Sequence, residues 1–415
     1  MTINLLTRLT KRPITRRLLA ASALLALSLP AAGQALSADD AAQLAKARPE
    51  AAQLIDAPVE RAEGNLQSAR TLPNPVASLE REGVDGFGGD GAETIVSIEQ
   101  SWDFSGRRTL NQRGAEADIE AARFNALSRA ANLGVEARRS YFELLAARKK
   151  LSIAARYESE LSNLLNETAR REQAGDAARY DVERVRQETL AASIALTEAE
   201  TELYTAEQSL AALIGAEPLA GQVVLTDALL PDTVISEAYS VAASPVIRAL
   251  QAEAEGARWR RESASKFMPD ITFGAGVRQT EGLSESTGLL FSLSVPLPLF
   301  DRNQGEYRAR AADVNEAEAR VRLTEAQLAS EIASLRNRAQ SLIAATDRYE
   351  SGALSSATEL REIAQSAFNG GEIAVFEIID ALQSARDAEL RTISLQHDAR
   401  KAVLDLAELL PETEQ

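Results

Sequence analysis

Two stretches of this chain alternate apolar and polar residues with a period of two, as a strand with two unlike faces must. In the first, Val96, Ile98, Trp102 and Phe104 share one face and Ser97, Glu99, Ser101 and Asp103 the other, with Gln100 interrupting the apolar row. In the second, Leu289, Phe291, Leu293, Val295 and Leu297 alternate with Leu290, Ser292, Ser294 and Pro296. Each has a partner ahead of it, Pro75–Gly83 and Ile271–Thr280, separated by the Gly-rich and polar segments 85–91 and 281–288. The pattern predicts two hairpins, with strands at about 75–83, 94–104, 271–280 and 289–298. Strands of roughly ten residues cross a bilayer when tilted. A soluble antiparallel sheet with one buried face has the same pattern. Trp102, Phe104, Phe267 and Phe300 fall at strand ends, where a membrane barrel carries an aromatic girdle and a soluble sheet carries core aromatics.

After each hairpin the period changes to that of a helix. Proline-free, Ala/Glu/Arg/Leu-rich segments run from about 107 to 174 and from 303 to 369, roughly 100 Å of helix each at 1.5 Å per residue. Helices so long need continuous lateral partners. The return helices, 177–214 and 372–410, show what those partners meet. A row spaced three and four runs Val182, Val185, Thr189, Ala192, Leu196, Ala199, Leu203, Ala206, Leu210, Leu213. Its counterpart is Ile378, Ala381, Ala385, Ala388, Thr392, Leu395, Ala399, Ala402, Leu406, Leu409, and neither row holds a charge. These are coiled-coil seams whose alanines allow close backbone approach.

The two rows differ by a constant offset of 196, and so do Pro49/Pro245 at helix starts, Pro73/Pro269, Phe104/Phe300 and Gly175/Gly371. The chain is therefore a duplicated strand–helix module, 36–214 and 245–410, joined by a Pro/Gly-containing linker 215–244 and ending in a tail 411–415. Each chain has four strands and a barrel closes with about eight or more, so two or three chains are required. Open sheet edges are intolerable in lipid.

The first 35 residues stand apart. Arg8, Lys11, Arg12, Arg16 and Arg17 precede an apolar run from Leu18 to Leu29, then Pro30 and small residues, which reads as a signal peptide cleaved after Ala35. Its removal takes five positive charges, so the net charge goes from −16 to −16 − 5 = −21. Such acidity argues against nucleic acid as a partner and favours cations near the chain. The chain has no cysteine, so disulfides, thiolate metal sites and a lipidated N-terminal cysteine are excluded. No nucleotide fingerprint, catalytic constellation or cofactor motif occurs, so an enzyme is not expected and any energy its work needs must come from a partner. The sole histidine, His397, lies off the seam and reads as a solvated surface residue.

The run Val295-Pro-Leu-Pro-Leu-Phe-Asp-Arg-Asn-Gln-Gly305 leaves a strand and enters a long helix. With Asn74-Pro75, Glu99-Gln100 before Gly106-Arg107-Arg108, Tyr141–Ala147, and Gly371 with Asp380-Ala381-Leu382, it resembles the TolC-like outer-membrane efflux family, over essentially the whole mature chain. More narrowly it is similar to the CzcC-type heavy-metal-resistance branch. The resemblance implies a homotrimer in the outer membrane of a Gram-negative bacterium, a twelve-stranded barrel and a coiled-coil tunnel in the periplasm. It also implies a periplasmic adaptor and an inner-membrane, proton-driven pump of the resistance-nodulation-division type. The exported species would be divalent heavy-metal cations. Drugs or other small molecules are the alternative cargo, and a periplasmic coiled-coil adaptor is the alternative class of protein. The resemblance further assigns adaptor contacts at the hairpin tips to Gly175, Asp176, Tyr180, Asp181, Gly371 and Glu372, and the tunnel entrance to Glu377 and Asp380. The glycines are explained by turn geometry alone, whereas a carboxylate six residues after each, Asp181 and Glu377, is not. A solvated helix face is the competing reading for those carboxylates.

Overall fold

The structure, a computed structural model, describes residues 35–84, 91–216, 223–232, 240–281 and 285–410. Residues 1–34 of the expected signal peptide, the hairpin loop segments 85–90 and 282–284, and the tail lie outside the described residues.

Four strands form one antiparallel sheet in the order β2-β3-β5-β6: β2 (Val76–Val84), β3 (Gly91–Trp102), β5 (Ile271–Glu281) and β6 (Ser286–Ser294). The register lines up the apolar positions of both hairpins across all four strands. Leu79 pairs with Val96, Val96 with Val277 and Val277 with Leu289; the next row is Ala77, Ile98, Ala275, Phe291. This face is open, with Leu289 and Phe291 both 78 % exposed. The opposite face carries Ser78, Ser97, Gly276 and Leu290 in one row and Val76, Glu99, Gly274 and Ser292 in another. An apolar convex face with a small, polar inner face is the pattern of a membrane barrel. Gln100, the exception in the outer row, donates Nε2 to the carbonyls of Pro73 and Ser101, both at 3.0 Å, so its amide is satisfied at the sheet end. The strand predicted at 289–298 instead occupies 286–294, because the prolines from 296 onward cannot continue a hydrogen-bonded ladder.

The helices make a one-layer wall under this sheet. Its upper part is α2 (Pro49–Arg70), α3 (Arg107–Ala174), α5 (Pro245–Ala264) and α6 (Gln304–Tyr349), each packed on the next. In the lower part α4 (Arg179–Ile214) and α8 (Val375–Leu409) flank α3, and α8 packs in turn on α6 and α7 (Ser355–Gly370). Pro49 and Pro245 both occupy the first turn of their helices, where a missing N–H costs nothing. The two strand-to-helix turns use left-handed residues, Gly106 (φ 80°) and Asn303 (φ 65°), the latter with its Nδ2 donating to the Ala264 carbonyl at 2.8 Å.

One expectation is corrected here. The long helix predicted over 303–369 is interrupted by a π-turn, Glu350–Leu354, between α6 and α7, and it starts at Gln304. By contrast α3 runs continuously through Gly134, a buried residue. The seams also differ. The second-copy row is buried from Ile378 to Leu406, whereas half of the first-copy row is only partly buried. The cause is position: α8 lies inside the wall with neighbours on both sides, and α4 lies at its edge.

A belt surrounds the middle of α3. A two-residue strand β1 (Ala35–Leu36) pairs in parallel with β4 (Val224–Leu225) of the linker, and α1 (Ala38–Lys46) follows. Ala35 at the expected cleavage point is thus part of the pairing, and Leu36 is core. Tyr141, fully buried, donates its hydroxyl to the Leu36 carbonyl at 3.1 Å and accepts from the N–H groups of Thr226 (3.0 Å) and Asp227 (3.2 Å). Arg400 stacks over Phe142 and donates to the carbonyls of Ala228, Leu229 and Leu230. Its guanidinium is held below its usual pKa by burial, an effect opposed by Asp227 and Asp232.

His397 is half-buried in α8 and not a solvated surface residue, which corrects the sequence expectation. Burial pulls its pKa below 6.5; Glu143 and Asp398 oppose that, and Lys150 and Lys401 reinforce it. A histidine depressed in the folded state favours unfolding as protons become available, so its contribution is intact above its ordinary pKa and is lost as pH falls below it. His397→Gln is expected to flatten the decline in melting temperature between pH 7 and pH 5. An unchanged decline would show that other groups carry the acid sensitivity.

Candidate functional site: the tips of the helical hairpins

At the lower end of the wall each long helix turns back through a glycine in left-handed conformation, Gly175 (φ 89°) and Gly371 (φ 75°). A Cβ at either would meet nothing within 4 Å, so backbone conformation alone asks for glycine there. The hydrogen bonds repeat at the same offset as the sequence. Asp176 N–H donates to the Arg171 carbonyl and Glu372 N–H to that of Ala367, both at 2.8 Å. Gly175 N–H donates to Glu172 (3.0 Å) and Gly371 N–H to Phe368 (3.1 Å), completing two Schellman caps.

The return helices start in matched fashion. Asp181 accepts from the N–H of Ala178 at 3.3 Å, and Glu377 accepts from that of Ala374 at 3.0 Å. Each carboxylate thus satisfies an orphan donor at a positive helix end. That explains why both turns have an acid six residues on, which turn geometry had left unexplained. Glu377 remains exposed while capping, and Asp181 is half-buried.

The tip glycines, Asp176, Tyr180 and Glu372 are all exposed at this end. Tyr180 is 77 % and Phe376 67 % exposed, and the two are related by the repeat offset. Phe376 was missed by motif reasoning, although adding 196 to Tyr180 finds it. The hairpins are fastened together: Arg171 donates to the Phe368 carbonyl at 3.1 Å and lies 4.4 Å over its ring. Asp380 is exposed one turn beyond Glu377, and its counterpart in the first copy is Arg184, which pairs with Glu188 at 3.8 Å. The acidic pair is therefore a property of the second hairpin only.

Above the tips lie polar ties that no motif marked. Tyr157 of α3 donates to Glu188 of α4 at 3.1 Å, and Gln383 of α8 donates to the same oxygen at 2.6 Å. Burial pushes the Tyr157 hydroxyl pKa up; Arg386 over its ring opposes this and Glu188 adds to it. On the other side Arg361 of α7 bridges Glu389 (3.4 Å) and Glu160 (4.0 Å), and Arg156 also binds Glu389. Burial raises the Glu160 pKa against the lowering influence of Arg361 and Arg156, with Glu389 raising it further. Among the described residues no group of three or more His, Asp or Glu side chains is placed to hold a metal ion. No described helix is long and apolar enough to cross a membrane, a statement that does not concern the sheet.

The sequence profile of the outer membrane efflux proteins matches residues 41–216 and 239–411, one segment in each half of the duplicated chain. The chain belongs to the outer membrane efflux protein family. It is 22 % identical over 360 residues to the cobalt-zinc-cadmium resistance protein CzcC of Cupriavidus metallidurans, covering 84 % of this chain and 83 % of that protein. Its fold is similar to the CmeC outer membrane channel of Campylobacter jejuni, with a TM-score of 0.75 at 14 % identity, over 91 % of this chain and 87 % of that one. It is also similar to the outer membrane protein VceC of Vibrio cholerae, with a TM-score of 0.73 at 19 % identity, over 91 % and 97 % of the two chains. The fold is that of the TolC-like channels, a helical tunnel below a β-barrel, and the protein is an outer-membrane channel subunit reaching into the periplasm. Efflux channels of this family are not enzymes.

Proposed function

We propose that three copies of this chain form the exit duct of a tripartite efflux system for divalent heavy-metal cations. An inner-membrane, proton-driven pump supplies the energy and a periplasmic adaptor seats on the hairpin tips. The observation that carries this reading is the match to a cobalt-zinc-cadmium resistance protein along most of both chains, joined to an open four-stranded sheet with an exposed apolar face. Four strands per chain leave two unpaired edges, and three chains close a twelve-stranded barrel. Gly175, Asp176, Tyr180, Asp181, Gly371 and Glu372 are the adaptor contacts in this reading, with Phe376 beside Tyr180 as a second exposed aromatic anchor. Glu377 and Asp380 ring the tunnel entrance and concentrate cations there by long-range attraction. In this reading passage through the duct is passive, the energy coming from the pump.

The test is single-channel recording in planar bilayers. Glu377→Gln with Asp380→Asn keeps an acceptor for the Ala374 N–H and removes two charges per chain. The expected result is a reversal potential shifted toward lower cation preference in a salt gradient. Unchanged selectivity in a correctly assembled double variant would remove these residues from the entrance. Restored tolerance to drugs, but not to cobalt, zinc or cadmium, in a channel-deleted host would overturn the metal cargo. Recovery of the wild-type protein as a soluble monomer without detergent would overturn the duct.

A further inference from the structure

The N-terminal leader offers two bonds of equal form to the peptidase that removes it. Such enzymes read small residues three places and one place ahead of the cut, shortly after the apolar run. Gly33 and Ala35 fill those places for a cut after Ala35, and Ala31 and Gly33 fill them for a cut after Gly33. The peptidase meets the chain unfolded, so it reads no tertiary contact. The folded product distinguishes the two bonds, because they leave different first residues, Leu36 and Gln34. A first residue carries an ammonium group where every later one carries an amide.

Leu36 is a poor place for that ammonium. The residue is 2 % exposed and belongs to the core cluster of Tyr141, Leu145 and Leu210. Its carbonyl accepts from the Tyr141 hydroxyl at 3.1 Å and from the Thr226 N–H at 3.3 Å, and its backbone pairs with Leu225. An α-amino group is mostly protonated at neutral pH, so a chain beginning here would either keep a charge in the core or give up a proton to enter it. The carboxylates of this corner already serve other donors. Asp227 accepts from the Ala38 N–H at 2.8 Å, and Asp40 accepts from the N–H and the hydroxyl of Ser37 at 3.0 and 2.7 Å. A cut after Ala35 would also remove one of the two rungs of the β1–β4 ladder, Ala35 with Val224.

We propose that the leader is cut between Gly33 and Gln34, so that the mature chain begins two residues ahead of Leu36. Hydrolysis of that amide leaves a carboxylate on Gly33 and the new ammonium on Gln34, with water as the only co-reactant. Ala35 is exposed where Leu36 is buried, so the chain comes to the surface between them. With Gln34 first, residues 35 and 36 are both ordinary amides and both rungs of the ladder form. The belt around α3 is then completed by the first residues of the mature chain, and the choice of bond decides whether it can close. The inference rests on the leader read from the sequence and is independent of the cargo.

The test expresses the full-length gene, purifies the exported chain, digests it with trypsin and maps its first peptide by mass spectrometry. The expected peptide is Gln34–Lys46, which holds no internal lysine or arginine. A first peptide Leu36–Lys46 would overturn the proposal and leave the channel reading intact. A chain that keeps the apolar run Leu18–Leu29 would overturn the leader and the cut together. Two substitutions separate the bonds. Ala35→Leu changes the residue next to the alternative cut but only the second residue of the proposed mature chain. Its processing should be normal, giving the Gln34 peptide with leucine at 35. Ala31→Leu lies three places ahead of the proposed cut and five ahead of the other, so it should abolish the Gln34 peptide. Precursor accumulating in Ala35→Leu, with Ala31→Leu processed as the wild type, is the opposite pattern and would overturn the proposal.

Discussion

Replacing Gly276 with valine is expected to leave almost no assembled channel in the outer membrane. Gly276 sits in β5 on the inner face of the sheet, between Ser97 of β3 and Leu290 of β6. A Cβ there would lie 2.6 Å from the Val96 carbonyl oxygen, 2.8 Å from the Ser97 Cβ and 3.1 Å from its Cα. Two of those three atoms are backbone of the adjacent strand, so no rotamer change relieves the overlap. The inner face of a curved sheet is the compressed one, which is why Gly and Ser collect there. Overpacking costs about 1–3 kcal/mol at ordinary core sites, and this clash would recur in every subunit of the ring. Thr280→Val, on the same inner face of β5 and nearly equal in volume to the native side chain, is the control and should assemble normally. The measurement is the yield of detergent-extracted oligomer from the outer-membrane fraction. A wild-type yield of Gly276→Val would show that this face is not crowded.

Tyr141→Phe is expected to loosen the belt without touching barrel or tips. The substitution keeps the ring in its core and deletes one buried oxygen that serves three groups. Thr226 N–H retains a bond to the Leu36 carbonyl at 3.3 Å, but Asp227 N–H loses the partner that the hydroxyl supplied. Leaving a buried polar group unpaired costs roughly 1–3 kcal/mol. A melting temperature lower by several degrees should therefore accompany faster proteolysis at the linker and the N-terminal segment. Loss of stability with unchanged cleavage there would place the damage elsewhere. The Tyr141–Ala147 motif is part of the family resemblance, and the physical role of its tyrosine is to fasten Leu36 to the linker.

Much of the architecture was legible because it is periodic. Alternation along 94–104 marked β3, and the register then aligned its apolar row with those of three other strands. The seam from Val182 and its copy from Ile378 were visible as uncharged rows, and no residue of either is exposed. Less was legible where a residue's role depends on where an element begins. Asp181 and Glu377 were recognised as acids near a turn, but their capping bonds follow only from helices starting at Arg179 and Val375. The π-turn at Glu350–Leu354 holds Ser351-Gly352 but no proline, and an isolated glycine in a run of good helix formers is tolerated too often to announce a break. The paired carboxylates and arginines of Glu160, Arg361, Glu389 and Arg156 come from three helices, so no spacing within one segment could reveal them.

By itself the sequence determined the duplication, the two hairpins, the long helices, the tip glycines and the shortage of strands that makes other chains necessary. Each is a local or periodic property, set by which side of an element avoids water and by which residues tolerate a left-handed turn. Tertiary structure decided which uncharged row would be covered. The seams of α4 and α8 read alike, yet α8 is enclosed between α3 and α6 while α4 stands at the edge with half of its seam only partly buried. Period tells a helix how many faces it has. Only packing tells it which neighbour each face receives, because that neighbour is fixed by contacts hundreds of residues away, or in another chain.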